Sequence, residues 1–145
     1  MKNKVTWIVL SNSQNASVVA NRGPGTGFEP VAGHVWEAPE VVGYSDEPGV
    51  MQSSTSSGHP SLTRTDLKRL GQNAFATDIM DHLVKAHRDK AFDRIVLTGT
   101  PQMLGALRDA APTAIKSALL AELDKDLTKV PADELGPHLR DIMRL

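Results

Sequence analysis

The chain has 145 residues, of which 40% are hydrophobic, with 16 lysines and arginines against 17 aspartates and glutamates and no cysteine. These values predict one soluble globular domain over residues 1–145 that buries a core without disulfides, metals or cofactors. The absence of cysteine excludes disulfide scaffolds, thiolate zinc sites, iron–sulfur clusters and thiol nucleophiles. The net charge of −1 is not that of a dedicated nucleic-acid-binding protein, so no DNA partner is expected.

The amino-terminal segment indicates a cytoplasmic protein. Its apolar part, residues 5–10, is followed at once by the polar run Ser-Asn-Ser-Gln-Asn at 11–15. This apolar run is too short and too rich in β-branched residues for a signal peptide. No other stretch approaches the roughly 18 apolar residues of a membrane span, so no membrane partner is expected.

Three strands are predicted near the amino terminus. Residues 5–10 form a compact, mostly apolar run with two valines, an isoleucine and a tryptophan, which is typical of a buried strand. Residues 16–20 predict a second strand after a polar turn. Residues 28–36 alternate loosely and predict a third strand. Because proline has no N–H to donate, Pro30 predicts that it lies at the start of this strand or that the strand lies at the edge of a sheet.

The composition changes between about residues 37 and 63. Proline, glycine and serine accumulate there, and no periodic apolar pattern continues. Such a segment buries too little surface to offset its ordering entropy. The sequence therefore predicts a flexible loop, which is either functional or a disordered insertion.

The remaining chain alternates between helical and strand patterns. An amphipathic helix is predicted over about 72–88 from the spacing of Phe75, Ala76, Ile79, Leu83 and Ala86. Gly71 separates that stripe from Leu67 and Leu70, which fall off it, so the preceding turns are either a separate short helix or a shift in packing. Further elements are predicted as a strand over 92–97, a helix from Pro101 and a terminal helix over 131–144. Residues 119–127 predict either another strand or the tail of a helix that runs into one.

This order of elements predicts an α/β layered fold. Its mixed central sheet begins as an antiparallel meander and continues as parallel βα units. The strands at 5–10 and 92–97 are the most apolar, so we expect them to lie side by side in the middle of the sheet.

Acidic and histidine residues offer little for a metal site. A two-metal hydrolase needs several carboxylates that converge at strand ends, and the first strand has none. Asp93, Asp124 and Asp126 are the candidates, although the spacing of the last two also fits solvent-facing strand residues. His82 and His87 are about 140° apart around a helix, so they do not face one metal, and none of the histidine pairs has metal-ligand spacing.

One basic cluster stands out, formed by Arg64, Lys68 and Arg69 beside the predicted loop and interrupted by Asp66. These cations are candidates to contact RNA phosphates, the alternative being solvated charge at the start of a helix. Arg108 is a further candidate contact. With three Phe, two Trp and one Tyr, the chain lacks the aromatic platform on which bases stack.

Several motifs together resemble the bacterial host attachment protein family. The main ones are Phe-Asp-Arg-Ile-Val-Leu at 92–97, Pro-x-x-Leu-Gly-x-Leu-Arg at 101–108 and Asp-Lys-Asp-Leu-Thr at 124–128. Others follow in the family's order, namely Trp-Ile-Val-Leu at 7–10, Gly-Pro-Gly at 23–25, Asp-Glu-Pro-Gly at 46–49 and Phe-Ala at 75–76. The resemblance implies a ribonuclease H-like α/β layer, similar to the middle domain of archaeal and eukaryotic release factors.

Two departures from the family pattern matter for function. Relatives often have Asp-Gly after the first strand, where this chain has Ser-Asn-Ser at 11–13. Acidic residues usually precede the Phe-Ala pair, where this chain has Gly-Gln-Asn at 71–73. The Gly-Gly-Gln tripeptide of release factors is also absent, so peptide-release activity is not expected.

Two functions follow as hypotheses. The first is a non-enzymatic cytoplasmic binding or regulatory protein whose partner is a protein or an RNA-containing assembly such as the ribosome. Its contact surface would be the loop together with Arg64, Lys68 and Arg69. The second is a metal-dependent, RNA-directed hydrolase that uses the acids named above. Pairing with a second copy, through Trp36 and the apolar ends of the edge strands, is a further expectation.

Overall fold

Five strands form one open sheet of mixed direction in a computed structural model that describes residues 4–39 and 63–142. The strands are β1 (Thr6–Ser11), β2 (Asn15–Asn21), β3 (Glu29–Glu37), β4 (Arg94–Gly99) and β5 (Leu119–Leu123). Their order across the sheet is β3-β2-β1-β4-β5, with antiparallel pairs up to β1 and parallel pairs from β1 to β5. The predicted mixed sheet, with the two most apolar strands adjacent at its centre, is confirmed.

Within residues 4–39 and 63–142, four helices accompany the sheet. They are α1 (Arg64–Arg88), α2 (Pro101–Ala110), α3 (Thr113–Ala118) and α4 (Gly136–Leu139), with a short 3-10 turn at Ala132–Glu134. No helix within the two described ranges has the length and apolarity needed to cross a bilayer. Most of the predicted loop at 37–63 lies outside the described residues, since β3 continues to Glu37 and the description resumes at Thr63.

Strand β1 occupies the middle because all six of its residues are buried. Its side chains alternate between two cores, as the pleat of a strand requires. Trp7 and Val9 join the core under α1 and α2, whereas Ile8 and Leu10 join the core on the opposite face. The opposite face is covered by the carboxyl-terminal segment, which supplies Leu127, Leu135 and Leu139.

Helix α1 begins eight residues before the predicted start, at Arg64. Thr63 and Asp66 form a capping box: Thr63 Oγ1 accepts a hydrogen bond from Asp66 N at 3.0 Å, and Asp66 Oδ2 accepts one from Thr63 N at 3.3 Å. The predicted apolar stripe from Phe75 to Ala86 is buried against the sheet, as expected. Of the side chains described between Thr63 and Ala74, however, none is buried. We call residues 63–74 the α1 arm.

Two other boundaries differ from the predictions. The strand predicted within 119–127 ends at Leu123, so Asp124 and Asp126 lie in the loop beyond it. The terminal helix predicted over 131–144 is only the 3-10 turn and the four-residue α4 within the described residues. Pro137 has no N–H to donate, so it is tolerated in the first turn of a new helix but not inside a continuous one.

Strand β3 is an edge strand that begins Glu29-Pro30, which agrees with the position predicted from proline. Its pairing with β2 is interrupted, because Ser17 lies opposite Val35 while Val19, two residues on, lies opposite Pro30. A proline and a bulge both reduce the ability of an edge to pair with another strand.

Gly99 allows β4 to approach β1 closely, and its replacement tests this contact. A Cβ at Gly99 would lie 2.4 Å from Ser11 Oγ and 3.2 Å from Ser11 O. The Ser11 hydroxyl donates a buried hydrogen bond to Thr98 O at 2.8 Å, so it cannot turn away without losing that bond. We expect Gly99→Ala to lower the free energy of unfolding by about 1–3 kcal/mol, measured by urea denaturation.

Gly105→Ala in α2 is the matched control. No atom lies within 4 Å of a Cβ built there. Because alanine favours a helix more than glycine does, we expect an unchanged free energy of unfolding or a gain of up to about 1 kcal/mol. Equal losses for the two variants would contradict the role given to Gly99.

Candidate functional site

The candidate site lies at the carboxyl ends of β1 and β4. The two strands are parallel, with Ser11 opposite Gly99, so the connections that follow both strands leave the sheet at the same edge. From β1 the chain turns back into β2, whereas from β4 it enters α2 on the helical face. Open α/β sheets bind ligands where neighbouring connections diverge in this way.

The inner face of the α1 arm forms one wall of this site. Lys68 and Gln72 occupy the same side of the helix as Phe75, Ile79 and Leu83, because they continue the spacing of three and four residues. That side is apolar where it covers the sheet and becomes cationic and polar along the arm. A charged side chain on the core-facing side is stable only where that side opens to solvent or to a ligand.

A groove with two lobes opens beside the arm. The first lobe, of about 650 Å³, lies between the arm and the amino end of α2 and is lined by Ser13, Lys68, Arg69, Gln72, Asn73, Thr100, Pro101, Gln102, Gly105, Ala106 and Asp109. The second lobe, of about 540 Å³, reaches the β1–β2 turn and is lined by Ser13, Gln14, Asn15, Glu37, Ala38, Pro39, Arg64, Lys68, Gly71 and Gln72. Ser13, Lys68 and Gln72 line both lobes, which are therefore adjacent.

The predicted basic cluster is brought together at this groove. Arg64, Lys68 and Arg69 all contribute to its lining, against the two acids Glu37 and Asp109. Within the described ranges neither Lys68 nor Arg69 forms a salt bridge with an acid. The groove therefore carries a local excess of positive charge on a chain that is nearly neutral overall.

The amino end of α2 adds to the positive charge at the groove. Thr100 caps this helix, its Oγ1 accepting a hydrogen bond from Met103 N at 3.4 Å, and Pro101 occupies the first turn. The amino end of a helix carries a partial positive charge. The first lobe therefore combines that partial charge with Lys68 and Arg69.

Arg108 lies apart from the groove. Its Nε donates to Glu122 Oε1 and Oε2 at 3.1 and 3.2 Å, which ties α2 to β5. The hydrogen bond with Glu122 and the charge of that carboxylate raise the pKa of Arg108 above its ordinary value. The geometry makes this side chain a link between two elements, and it lines neither lobe.

The acids of the hydrolase hypothesis are not brought together. Asp93 Oδ2 accepts a hydrogen bond from Val5 N at 2.8 Å, at the amino end of β1, whereas Asp126 Oδ2 accepts one from Asn12 Nδ2 at 3.1 Å, at its carboxyl end. Seven residues of extended chain, or roughly 23 Å, separate Val5 from Asn12. Asp124 and Asp126 are exposed. Across residues 4–39 and 63–142, no three histidine, aspartate or glutamate side chains are grouped to hold a metal ion.

Asn12 shapes the second lobe. Its Oδ1 accepts hydrogen bonds from Gln14 N and Asn15 N, both at 2.8 Å, which fixes the β1–β2 turn. Its Nδ2 donates to Asp126 Oδ2 and Thr128 Oγ1, both at 3.1 Å. Burial raises the pKa of Asp126, but hydrogen bonds from Thr128 and Asn12 outweigh that effect and hold the pKa below its ordinary value. The only signal in the sequence for this role is an asparagine in a polar turn.

Three of the histidines that the structure describes, His34, His82 and His87, pack against aromatic rings. The Trp36 ring contacts the rings of both His34 and His82, with centroid distances of 5.7 and 5.5 Å. Ring nitrogen Nδ1 of His82 donates to Asp78 O at 2.8 Å. Trp36, suggested by the sequence as a contact with a second copy, is thus half-buried against its own chain.

Comparison with protein families gives one match, to the family described as "Protein required for attachment to host cells", over residues 7–139. The match spans every strand and helix of the sheet and groove, so the chain belongs to this family. It agrees with the resemblance that the sequence motifs indicated. No individually curated protein matches the sequence significantly.

Replacing Asn12 with aspartate tests the link between the groove and the carboxyl-terminal segment. The change removes an amide donor and places a second carboxylate beside Asp126, so we expect lower stability at pH 7. In the wild type, the hydrogen-bonded Asp126 carboxylate contributes to the free energy of unfolding above its ordinary pKa of 3.8. This contribution is lost as the pH falls through the lowered pKa of the folded state. The repulsion in Asn12→Asp also disappears on protonation.

The stability deficit of Asn12→Asp relative to wild type should therefore narrow between pH 7 and pH 3, measured by urea denaturation at both. Asn12→Ala is the control, because it removes the same hydrogen bonds without adding a charge, and its deficit should change less with pH. If Asn12→Asp lowered the free energy of unfolding by the same amount at both pH values, the charge of Asp126 would not interact with residue 12.

A second prediction concerns the capping box of the α1 arm. Because the arm gains no buried packing within the chain, we expect Thr63→Ala to increase hydrogen exchange of the amides at 66–69 while the global unfolding transition changes little. Hydrogen bonds with Thr63, and to a lesser extent the charge of Arg69, hold the pKa of Asp66 below 3.8. The cap should therefore hold above that pH and weaken as pH falls further.

Thr77→Ala is the control for the capping variant. Thr77 lies exposed in the same helix, where its hydroxyl donates to Asn73 O at 3.0 Å. We expect its replacement to leave exchange at 66–69 unchanged. Unchanged exchange in Thr63→Ala would mean that the arm is held by something other than its cap.

Proposed function

We propose that this member of the family is a non-enzymatic, cytoplasmic binding or regulatory protein that holds an RNA segment in the groove beside the α1 arm. The RNA is free or part of an assembly such as the ribosome. The observation that carries the proposal is the inner face of the arm, where Lys68 and Gln72 occupy positions that are apolar further along the same helix. Such residues cover no core, so they are available to a ligand.

The charge of the groove suits phosphate. Lys68 and Arg69 supply two cations on adjacent positions of one helix, and the amino end of α2 faces the same lobe. Contacts to phosphate dominate the affinity of most nucleic-acid interfaces and position the chain without reading its sequence. A nearly neutral protein can bind RNA in this way because the cations are concentrated at one site.

The other lining residues suit the edges of bases. Gln72, Asn73 and Gln102 line the first lobe, and Gln14 and Asn15 line the second. Each amide side chain carries both a donor and an acceptor, as base edges do. The described lining of the two lobes contains no aromatic ring, so binding would depend on charge and hydrogen bonds more than on stacking.

The mixed sheet also supports the finer resemblance, namely a ribonuclease H-like frame similar to the middle domain of release factors. An antiparallel meander is followed by parallel βα units, as that resemblance implies. The hydrolase hypothesis gains no such support, because Asp93 and Asp126 lie at opposite ends of β1. We therefore prefer binding to catalysis.

The test is a fluorescence anisotropy titration with a labelled single-stranded RNA of about 20 nucleotides and mixed sequence, at several salt concentrations. We expect Lys68→Ala with Arg69→Ala to weaken binding at least about tenfold at low salt. The slope of log K against log salt should also decrease in magnitude by about 1 to 2, because two phosphate contacts are lost.

The matched control is Lys85→Ala with Arg88→Ala, which removes the same charge from the far end of the same helix. Both side chains border a different cavity, which lies between α1 and the end of α2 and is lined there by Ala110 and Pro112. We expect this control to bind within about threefold of wild type. Equal weakening in the two double variants, or an RNA affinity that neither changes, would refute the proposed site.

A further inference from the structure

One face of α2 lines the first lobe of the groove along its length. This face consists of residues spaced by three and four positions, which form a single stripe on a helix, namely Gln102, Gly105, Ala106 and Asp109. The middle of the stripe is open, because a Cβ built on Gly105 would meet no atom within 4 Å. From Gln102 to Asp109 the stripe extends over seven residues of helix, or roughly 10 Å.

The two ends of this stripe differ in charge. The amino end of α2 carries a partial positive charge. Lys68 lies near that end, because it also lines the second lobe beside the β1–β2 turn, at the sheet edge where α2 begins. Asp109 lies at the other end, in the last turn of α2, and is the only acid in the described lining of the first lobe. The lobe therefore has a cationic end and an anionic end.

Asp109 occupies a position that is unfavourable for an acid within the chain itself. The carboxyl end of a helix carries a partial negative charge, which repels a carboxylate in the last turn. Asp109 is exposed and forms no salt bridge within residues 4–39 and 63–142. Glu122 binds the neighbouring guanidinium of Arg108 and accounts for most of its raised pKa, with the charge of Asp109 as the smallest contribution. The oxygens of Asp109 are therefore open to the donors of a ligand.

A ribonucleotide has the chemistry that matches the two ends of the lobe. Its phosphate is an anion, and this phosphate lies about as far from the Watson–Crick edge of a purine base as the stripe is long. A carboxylate only accepts hydrogen bonds. Guanine presents two adjacent donors to it, N1–H and the 2-amino group, whereas adenine, cytosine and uracil each place an acceptor beside their donor. A carboxylate at the end of the lobe therefore favours guanine over the other three bases.

We propose that the first lobe binds one guanine nucleotide of the RNA, with its phosphate at the amino end of α2 beside Lys68 and its base edge on the carboxylate of Asp109. Asp109 is then the residue that determines base specificity. The amide groups of Gln72 and Asn73, on the α1 side of the lobe, supply donors for the O6 acceptor of guanine. This inference rests on the proposed function, because it assigns one nucleotide within the same groove.

The test is fluorescence anisotropy with four labelled RNA decamers that differ at one central position. That position holds guanosine, adenosine, cytidine or uridine, and all the others hold uridine. We expect the wild-type chain to bind the guanosine decamer at least about fivefold more tightly than the other three, as one bidentate contact to a base provides. A decamer with inosine, which lacks the 2-amino group, should bind about threefold more weakly than the guanosine decamer.

Asp109→Asn should reduce the preference for guanosine to less than about twofold, because an amide presents a donor as well as an acceptor to the base. The matched control is Asp81→Asn on α1. Asp81 is an exposed acid that borders the cavity between α1 and the end of α2. We expect this control to keep the wild-type preference, and circular dichroism should show that both variants fold.

Three results would count against the base assignment. Equal wild-type affinities for the four decamers, with binding still weakened by Lys68→Ala with Arg69→Ala, would overturn the guanine site and leave the proposed function in place. A guanosine preference that Asp109→Asn retains, or that Asp81→Asn abolishes, would overturn the role of Asp109. Absence of binding to every decamer would refute the proposed function and the guanine site with it.

Discussion

The parallel pairing of β1 with β4 is the interaction on which the rest of the structure depends. It places the carboxyl ends of the two most buried strands at one edge of the sheet. There the connection from β1 turns back into β2, and the connection from β4 enters α2. The close approach of Gly99 to Ser11 closes this edge of the sheet without a side chain between the strands. The groove lies directly beyond that contact, and its walls are the connections that leave it.

Helix α1 gives the groove its chemistry because it is longer than the layer it covers. Its carboxyl-terminal part packs Phe75 to Ala86 against the sheet, and its amino-terminal arm continues the same two sides without that support. The inner side becomes cationic at Lys68, and the outer side becomes apolar at Leu70. The cationic side of the arm lines the groove, and the opposite side leaves Leu70 exposed.

Hydrophobic patterning predicted the centre of the molecule well and its periphery less well. The short apolar runs Trp7–Leu10 and Ile95–Leu97 and the helical stripe from Phe75 to Ala86 each satisfy their own local period, so the sequence alone predicts these elements correctly. Of the two alternatives that the sequence leaves open for the turns before Gly71, the structure agrees with a shift in packing, because α1 runs unbroken from Arg64 while Leu67 and Leu70 lie off its core-facing stripe. The pattern Thr63-x-x-Asp66, a capping box, was the signal that marked the true start.

The parts of the site that could not be predicted depend on contacts between distant residues. Asn12 and Asp126 are 114 positions apart and meet only because the carboxyl-terminal segment covers the sheet. The pairing of Arg108 with Glu122 joins α2 to β5, and no local pattern in the sequence indicates it. The sequence shows three basic residues close together, but it does not show that they line a groove. That depends on where the edge of the sheet lies relative to the arm.

The most direct measurement is a nitrogen–proton correlation spectrum of the labelled protein during titration with single-stranded RNA. We expect the largest amide shifts at Ser13, Lys68, Gln72 and Thr100, which line the groove from three elements. Little change is expected around Lys85 and Arg88. Shifts centred on those two residues, or no shifts at RNA concentrations that saturate binding, would contradict the assignment of the groove as the RNA-binding site.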